Sequence, residues 1–278
     1  MKNALFISIT SDLSFEIAKH LYANGWKISG TYREAPEGNK FDFIDNLDLF
    51  KLDVQSPEGI EEVTNYCSEL PWDLLMISPS AFGPILNFGD CKIDEWIKNF
   101  NLNSIDLISI VHKLLPFRNS RNKCPLVWFW GGPGTNSAPK SISSLCLAKI
   151  CQIKFAELLD SEYEDITSFS VGPGWVFTKT HQQILDLGPE AGEKYFETVQ
   201  RINSGNMTKI STILEFTDWI ISQPKEVIGG RNFSIRSDLW QESEIFTNFL
   251  KSNPDASKLR RFKNDWEPNQ NDISFNPK

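Results

Sequence analysis

Ala4-Leu5-Phe6-Ile7-Ser8-Ile9, then Leu13 to Asn24, Gly25, and Trp26 to Tyr32, is the stretch whose reading decides the fold. Residues 4 to 9 form an apolar run too short for a helix and suited to a buried strand. Leu13, Ile17, Ala18 and Leu21 then recur at helical spacing until Gly25 stops them. Trp26 to Tyr32 is a second strand.

The alternation continues along the chain. Leu49 to Val54 is a third strand, and Pro57 to Leu70 a helix with Ser56 as its N-cap and Pro57 at its first position. Asp73 to Ser78 is a fourth strand, Asp94 to Leu115 a long helix ending at Pro116, and Pro125 to Trp130 a fifth strand. Ser143 to Leu159 is helical, Ile166 to Val171 another strand, and Asn232 to Arg236 the last. Near-continuous apolar strands separated by helices belong to a parallel sheet covered on both faces. The expectation is therefore one α/β domain over residues 1–250: a Rossmann-type, doubly wound, seven-stranded parallel sheet with helices on both faces. Residues 251–278 are polar, rich in Asn, Asp, Lys and Pro, and read as a C-terminal arm. No internal repeat is visible.

Composition narrows the function. Of 278 residues, 40% are hydrophobic, enough for a sizeable core. The net charge of -8 comes from interspersed charges and lacks the basic face that a general nucleic-acid binder needs. It leaves room for a small anion on one local loop. Five cysteines without paired short spacings make neither a disulfide framework nor a metal site, and read as free thiols in a reducing cytosol. The first eight residues lack the basic region and long apolar core of a signal peptide. No stretch approaches the roughly 20 apolar residues of a membrane span. The expected location is cytoplasmic.

In a doubly wound sheet ligands sit beyond the carboxyl ends of the strands, here after Ile9, Tyr32, Val54, Ser78, Trp130 and Val171. Those segments carry the candidate site. Ser8-Ile9-Thr10-Ser11-Asp12-Leu13-Ser14 joins the first strand to the first helix; it offers hydroxyls at a helix N-terminus, where phosphate binds, and equally reads as a helix-capping loop. Gly30-Thr31-Tyr32-Arg33 ends in a guanidinium, a natural bidentate partner for phosphate. Asp53-Val54 and Ser78-Pro79-Ser80-Ala81-Phe82-Gly83 follow the third and fourth strands. The long helix contains Phe100-Asn101-Leu102-Asn103-Ser104. After the fifth strand come Phe129-Trp130-Gly131-Gly132-Pro133-Gly134-Thr135 and then Ser143-Ser144-Leu145-Cys146-Leu147-Ala148-Lys149. Val171-Gly172-Pro173-Gly174-Trp175-Val176-Phe177-Thr178 follows the sixth.

In this order and spacing the segments resemble short-chain dehydrogenases/reductases over about residues 1 to 240. They resemble most a subgroup of oxidoreductases encoded with cell-surface polysaccharide genes, whose closing region is similar to His181 to Trp240 and Asn253 to Phe262. The resemblance implies a nicotinamide dinucleotide held by Ser8, Thr10, Ser11, Leu13, Arg33, Asp53, Val54, Ser78, Ser80, Lys149, Pro173, Gly174, Val176 and Thr178. Arg33 implies NADP rather than NAD. It also implies that Asn103 holds a water of a proton relay and that Lys149 lowers the pKa of a tyrosine and holds the nicotinamide ribose.

The departures are as informative. Ser8, Asp12 and Ser14 stand where the family's phosphate loop has glycines, and the Asn-Asn-Ala-Gly turn is replaced by Ser78 to Ala81. The catalytic serine position holds Trp130, Gly131 or Gly132, and the tyrosine four residues before Lys149 is Leu145. Dinucleotide binding is then weak or lost. General acid–base help worth ~10²–10⁴ in rate is gone, which points to a non-redox binding or scaffolding subunit in a sugar or cell-surface glycan pathway. Such a subunit would take a sugar or nucleotide-sugar ligand, as a homo-oligomer and in company with an active paralogue. The alternative is an active NADP-dependent oxidoreductase on a sugar-type carbonyl or alcohol, with Thr135, Ser143, Ser144 or Cys146 supplying the proton beside Lys149. Lys149 as an ordinary exposed helix lysine also fits the pattern.

Overall fold

The computed structural model describes residues 1–36, 38–45, 47–121 and 124–261. Seven parallel strands lie in the order β3-β2-β1-β4-β5-β6-β7. They are β1 (Asn3–Ile7), β2 (Lys27–Tyr32), β3 (Asp48–Lys51), β4 (Leu74–Ile77), β5 (Leu126–Trp130), β6 (Thr167–Gly172) and β7 (Asn232–Ser234). Between and beyond them run α1 (Asp12–Ala23), α2 (Pro57–Glu69), α3 (Ile93–Asn103), α4 (Ile105–Leu114) and α5 (Ser143–Glu162). After β6 come α6 (Lys179–Leu187), α7 (Glu193–Asn203), α8 (Ile210–Ser222) and α9 (Lys225–Ile228), and after β7 comes α10 (Ser243–Ser252). This is the doubly wound sheet that the alternation of apolar runs demands.

Alternate residues of each strand feed two cores. Phe6, Met76, Trp128, Trp130 and Phe169 pack with Ile17 and Leu21 of α1 and Phe216 and Ile220 of α8 on one face. Leu5, Ile7, Leu75, Val127 and Phe129 pack with Val63 of α2, Leu107 and Val111 of α4, and Ala156 and Leu159 of α5 on the other. Both faces being covered explains why the strands read as continuous apolar runs.

Three sequence expectations change. The first strand stops at Ile7 rather than Ile9, because Ser8 turns into the left-handed region at φ 67. The long helix expected over 94–115 is two helices: Ser104 leaves helical geometry at φ -141, ψ -76, and its hydroxyl donates back to the Phe100 carbonyl. Hydroxyl and amide side chains that bond the preceding turn bend helices in this way. Finally, the polar segment expected from residue 251 begins inside a helix, because α10 runs on to Ser252.

The polar segment after residue 250 opens with the last turn of α10 and stays on the domain as far as it is described. The buried Arg231 guanidinium donates to the carbonyls of Leu250 (2.7 Å), Asn253 (3.2 Å) and Ala256, and Arg260 pairs with Glu157 at 2.7 Å. Phe262 and the rest of the expected arm, 262–278, lie outside the described residues. All five cysteines are free thiols. Among the described residues no helix is long and apolar enough to cross a membrane.

Candidate functional site

The loop after β1 keeps the shape of a glycine loop without the glycines. Ser8 holds φ 67, which costs a residue with a Cβ roughly 1–2 kcal/mol. Two hydrogen bonds hold it there: the Ser8 amide donates to the buried Thr31 hydroxyl, and the Ile9 amide to the Thr31 carbonyl, both at 2.9 Å. Gly30 makes this approach feasible, since a Cβ on it would stand 2.6 Å from the Ile9 Cβ. Ser11 caps α1 by accepting from the Ser14 amide at 3.3 Å, and Asp12 adds a negative charge to the helix's first turn, favourable to the helix dipole. Leu13 packs against the core.

Ser14 is fully buried. Its hydroxyl donates to the Ser78 hydroxyl at 2.6 Å, and that same oxygen accepts from the Trp130 indole at 3.1 Å. The first turn of α1, the end of β4 and the end of β5 are thereby tied together. The Ser14 hydroxyl is thereby used within the core, while Ser78 accepts both bonds and keeps its own hydroxyl hydrogen.

Beside this knot lies a cleft of about 240 Å³ at the carboxyl ends of β1, β2, β3 and β4. Six of the expected residues meet in it: Ser8, Thr10, Arg33, Asp53, Val54 and Ser80. The rest of the lining is Thr31, Pro79, Ala81 and Leu102, which fall within the candidate segments without being singled out, and Glu34 and Leu52, which fall outside them. Thr31 carries a visible signal, a hydroxyl near the end of β2 two residues before Arg33. The Arg33 guanidinium sits 3.2 Å from Glu34, with both side chains largely in solvent, so this pair contributes little by itself.

The turn after β4 is pinned from below by α3. The Asn103 side-chain oxygen accepts from the Ser80 hydroxyl (3.1 Å) and the Ala81 amide (3.0 Å). Its amide donates to the carbonyls of Ala81 (2.8 Å) and Asn99 (2.9 Å). Both donors and both acceptor positions are used, and the residue is fully buried, so no capacity remains for a relay water. Asn99 extends the network: it donates to the Ala81 carbonyl at 3.0 Å and accepts from the buried Ser144 hydroxyl at 2.9 Å. The Gln152 amide reaches the Asn103 main-chain carbonyl where the two helices part.

Lys149 points inward. It is 5% exposed, and its Nζ donates to the Trp130 carbonyl at 3.0 Å and lies 3.5 Å from the Gln152 Oε1. Burial pushes its amine down from the ordinary 10.5 to about 8. The reading as an exposed helix lysine is thus overturned. Its stem fills the space over Gly132, where a Cβ would stand 2.6 Å from the Lys149 Cγ. A Cβ at Gly131 would stand 3.1 Å from the Asn232 Oδ1 and 3.2 Å from the Gly172 amide nitrogen. Leu145 is buried one turn before Lys149. Thr135 is half-buried in the loop after β5, and no hydrogen bond joins it to Lys149 or Ser144 among the described residues.

The remaining candidates stand after β6, on the other half of the sheet from the cleft. Pro173 precedes Gly174, whose φ of 76 and contacts with Thr208 and Arg236 leave no room for a side chain. Val176 is buried. Thr178 caps α6, its hydroxyl 2.9 Å from the His181 Nδ1 and its amide donating to the same nitrogen at 3.2 Å. Trp175 packs on the His181 ring at 4.3 Å between centroids.

No protein-family model matches the chain, and no curated protein does. Solved structures match with confidence. A short chain dehydrogenase/reductase from Saccharomyces cerevisiae superposes with a TM-score of 0.73 at 17% identity, over 85% of this chain and 97% of its own. A variant of actinorhodin polyketide ketoreductase, solved with NADPH, gives 0.73 at 19% identity over 84% and 95%. The aldohexose dehydrogenase of Thermoplasma acidophilum, in ligand-free form, gives 0.69 at 13% identity over 84% and 92%. The chain therefore has the fold of the short-chain dehydrogenases/reductases.

The two halves of this site offer a nicotinamide dinucleotide different groups. The cleft offers hydroxyls, a cation and a carboxylate beside apolar walls, a suitable lining for a nucleoside phosphate. On the β5 side the Lys149 amine donates to the Trp130 carbonyl and lies near Gln152 with a donor to spare, and the helix position one turn before it is a leucine.

The buried lysine yields a pH prediction. Between about pH 8 and 10.5 the unfolded chain keeps a proton on Lys149 that the folded chain releases, so folding is favoured as pH rises through that window. Below it both states are charged and this contribution is constant. Urea unfolding of wild type and Lys149→Met should show the wild type gaining on the variant by up to about 3 kcal/mol from pH 7.5 to 10.5, at 1.36 kcal/mol per unit. A constant difference across that range would mean the amine stays in water.

Proposed function

We propose that this chain is a non-redox member of the short-chain dehydrogenase/reductase fold, a binding or scaffolding subunit in a sugar or cell-surface glycan pathway. The observation that carries the reading is the fate of Lys149. Its amine is buried on the Trp130 carbonyl, its stem occupies the space of a side chain at Gly132, and Leu145 stands at the proton donor's place. The proton donor and the carbonyl-orienting hydroxyl are absent from their positions, and the amine suited to a ribose is turned onto a main-chain carbonyl. The aldohexose dehydrogenase among the fold neighbours is in keeping with a sugar-type ligand. The lack of a long apolar helix among the described residues is in keeping with a cytoplasmic protein.

The same reading includes assembly with a second copy or an active paralogue. Ile97 on α3, Ile105 on α4, and Leu147 and Leu158 on α5 are each 45–49% exposed, an apolar surface on helices that cover one face of the sheet. Ile108, Ile150 and Phe155 on the same helices are only partly exposed.

Reductase assays with saturating NADPH and a panel of keto-sugars should give no turnover for wild type and little for Leu145→Tyr, because members of one catalytic unit are strongly non-additive. Robust turnover by wild type would overturn the proposal and make Thr135 and Ser144 the first residues to mutate. Light scattering at micromolar concentration should give at least twice the 31.7 kDa chain mass. The monomer mass would refute the assembly.

A further inference from the structure

A second cavity, of about 700 Å³, lies at the opposite end of the sheet, against the amino ends of the strands. That volume falls within the roughly 300–1,000 Å³ of small-molecule sites. One wall is made by residues that begin or precede β1, β5 and β6, and the other by the end of α8 and the turn into α9. Strand alternation keeps the wall on one face. Lys2 shares that face with Ala4 and Phe6, Leu126 with Trp128, and Thr167 with Phe169, on the side that α1 and α8 cover. From β1 to β6 is three strand spacings, about 14 Å. Lys2 and Thr167 therefore stand at opposite ends of the cavity, with Leu126 and Ile221 as apolar walls between them.

The two ends differ in chemistry. The Lys2 ammonium lies 5.1 Å from the centroid of the Trp26 ring and makes no ion pair among the described residues. At the other end Thr167 is 1% exposed, and no hydrogen bond among the described residues engages its hydroxyl. Buried hydroxyls are as a rule bonded, so an unused one on a cavity wall marks a place for a ligand atom. The charges at that end do not call for an anion. All three hydrogens of the Lys225 ammonium have acceptors on Asp160, Tyr163 and Ile166. The carboxyl end of α8 brings the negative end of its dipole there, and Glu226 is exposed on the rim. Asp73, before β4, accepts from the Asn3 amide at 2.8 Å and the Asn119 side chain at 3.0 Å, so its charge is met in part within the fold. An anion is thus favoured at Lys2 and a neutral polar group at Thr167.

We infer that this cavity is a second ligand site, for an elongated carboxylate with an apolar chain and a hydroxyl at its far end. The carboxylate pairs with Lys2 beside Trp26, the chain lies along Leu126 and Ile221, and the far hydroxyl meets Thr167. The site is independent of the non-redox reading, which concerns the carboxyl ends of the strands.

Isothermal titration of the full chain with 10-hydroxydecanoate, decanoate and decylamine tests the assignment, with the fold of each variant checked by circular dichroism. The hydroxy acid should bind one per chain, threefold or more tighter than decanoate and tenfold or more tighter than decylamine. Lys2→Met, an exposed change, should weaken both acids tenfold or more. Thr167→Val should remove the advantage of the hydroxy acid and leave decanoate binding as it was. Ile221→Trp, which fills the cavity from α8, should abolish binding of both acids. No saturable binding of either acid would overturn the inference. So would decylamine binding as tightly as the acids. Binding that survives both Lys2→Met and Ile221→Trp would also overturn it, since the acid would then sit elsewhere, as on the exposed Phe82 and Phe88. If Thr167→Val does not fold, equal affinity of the wild type for the two acids is enough to overturn the placement at Thr167. None of these outcomes bears on the non-redox reading, which the reductase assay tests by itself.

Discussion

Lys149 reaches the end of β5 from the helix that covers it, and its amine gives up water to donate to one main-chain carbonyl, that of Trp130. Removing an amine from water is costly, and the chain lowers the cost in two ways. It supplies acceptors, the carbonyl and the Gln152 side chain, and it lets the proton go more readily, at about pH 8. The stem needs space as well. That space exists because position 132 is glycine, and Gly132 is in turn fixed as glycine by the stem. A hydroxyl-bearing residue and this lysine conformation exclude each other.

The other bonds at the carboxyl edge fall into line with that constraint. Trp130 offers its carbonyl to Lys149 and its indole to Ser78, and Ser78 takes the Ser14 hydroxyl. Asn103 spends every donor and acceptor on the turn after β4. Groups that resemble cofactor ligands in the sequence therefore act as fastenings between strand ends and helices. Where the fastenings stop, at the ends of β1 to β4, a small cleft remains, and Ser8 is held in a left-handed conformation at its edge.

The fold was legible because each strand is buried on both faces and each helix on one, and both leave apolar signatures of different period. The break at Ser104 was not, since nothing local marks it: Ile105, Leu107 and Val111 continue a helical pattern, and the bend comes from side-chain bonds to Phe100 and Asn99 carbonyls. Ser8, Thr10, Arg33, Asp53, Val54 and Ser80 could be named as neighbours because all follow strand ends that a parallel sheet brings together. The inward turn of Lys149 could not, because it depends on a partner carbonyl nineteen residues away and on the absence of a side chain at Gly132. The bond between Ser14 and Ser78 is hidden in the sequence for a related reason. Their partner is an indole from β5, a pairing that appears only once β4 and β5 are side by side.

The most direct test of this account is the protonation of Lys149 itself, followed by carbon-13 NMR of its side chain across pH 6 to 11, with and without saturating NADP+. An amine held by the Trp130 carbonyl and remote from any ligand should titrate near 8 in both series. A rise of a unit or more on adding NADP+ would show the amine turning out to a bound dinucleotide, and would contradict the claim that the family's ribose-holding group serves here as a structural bond.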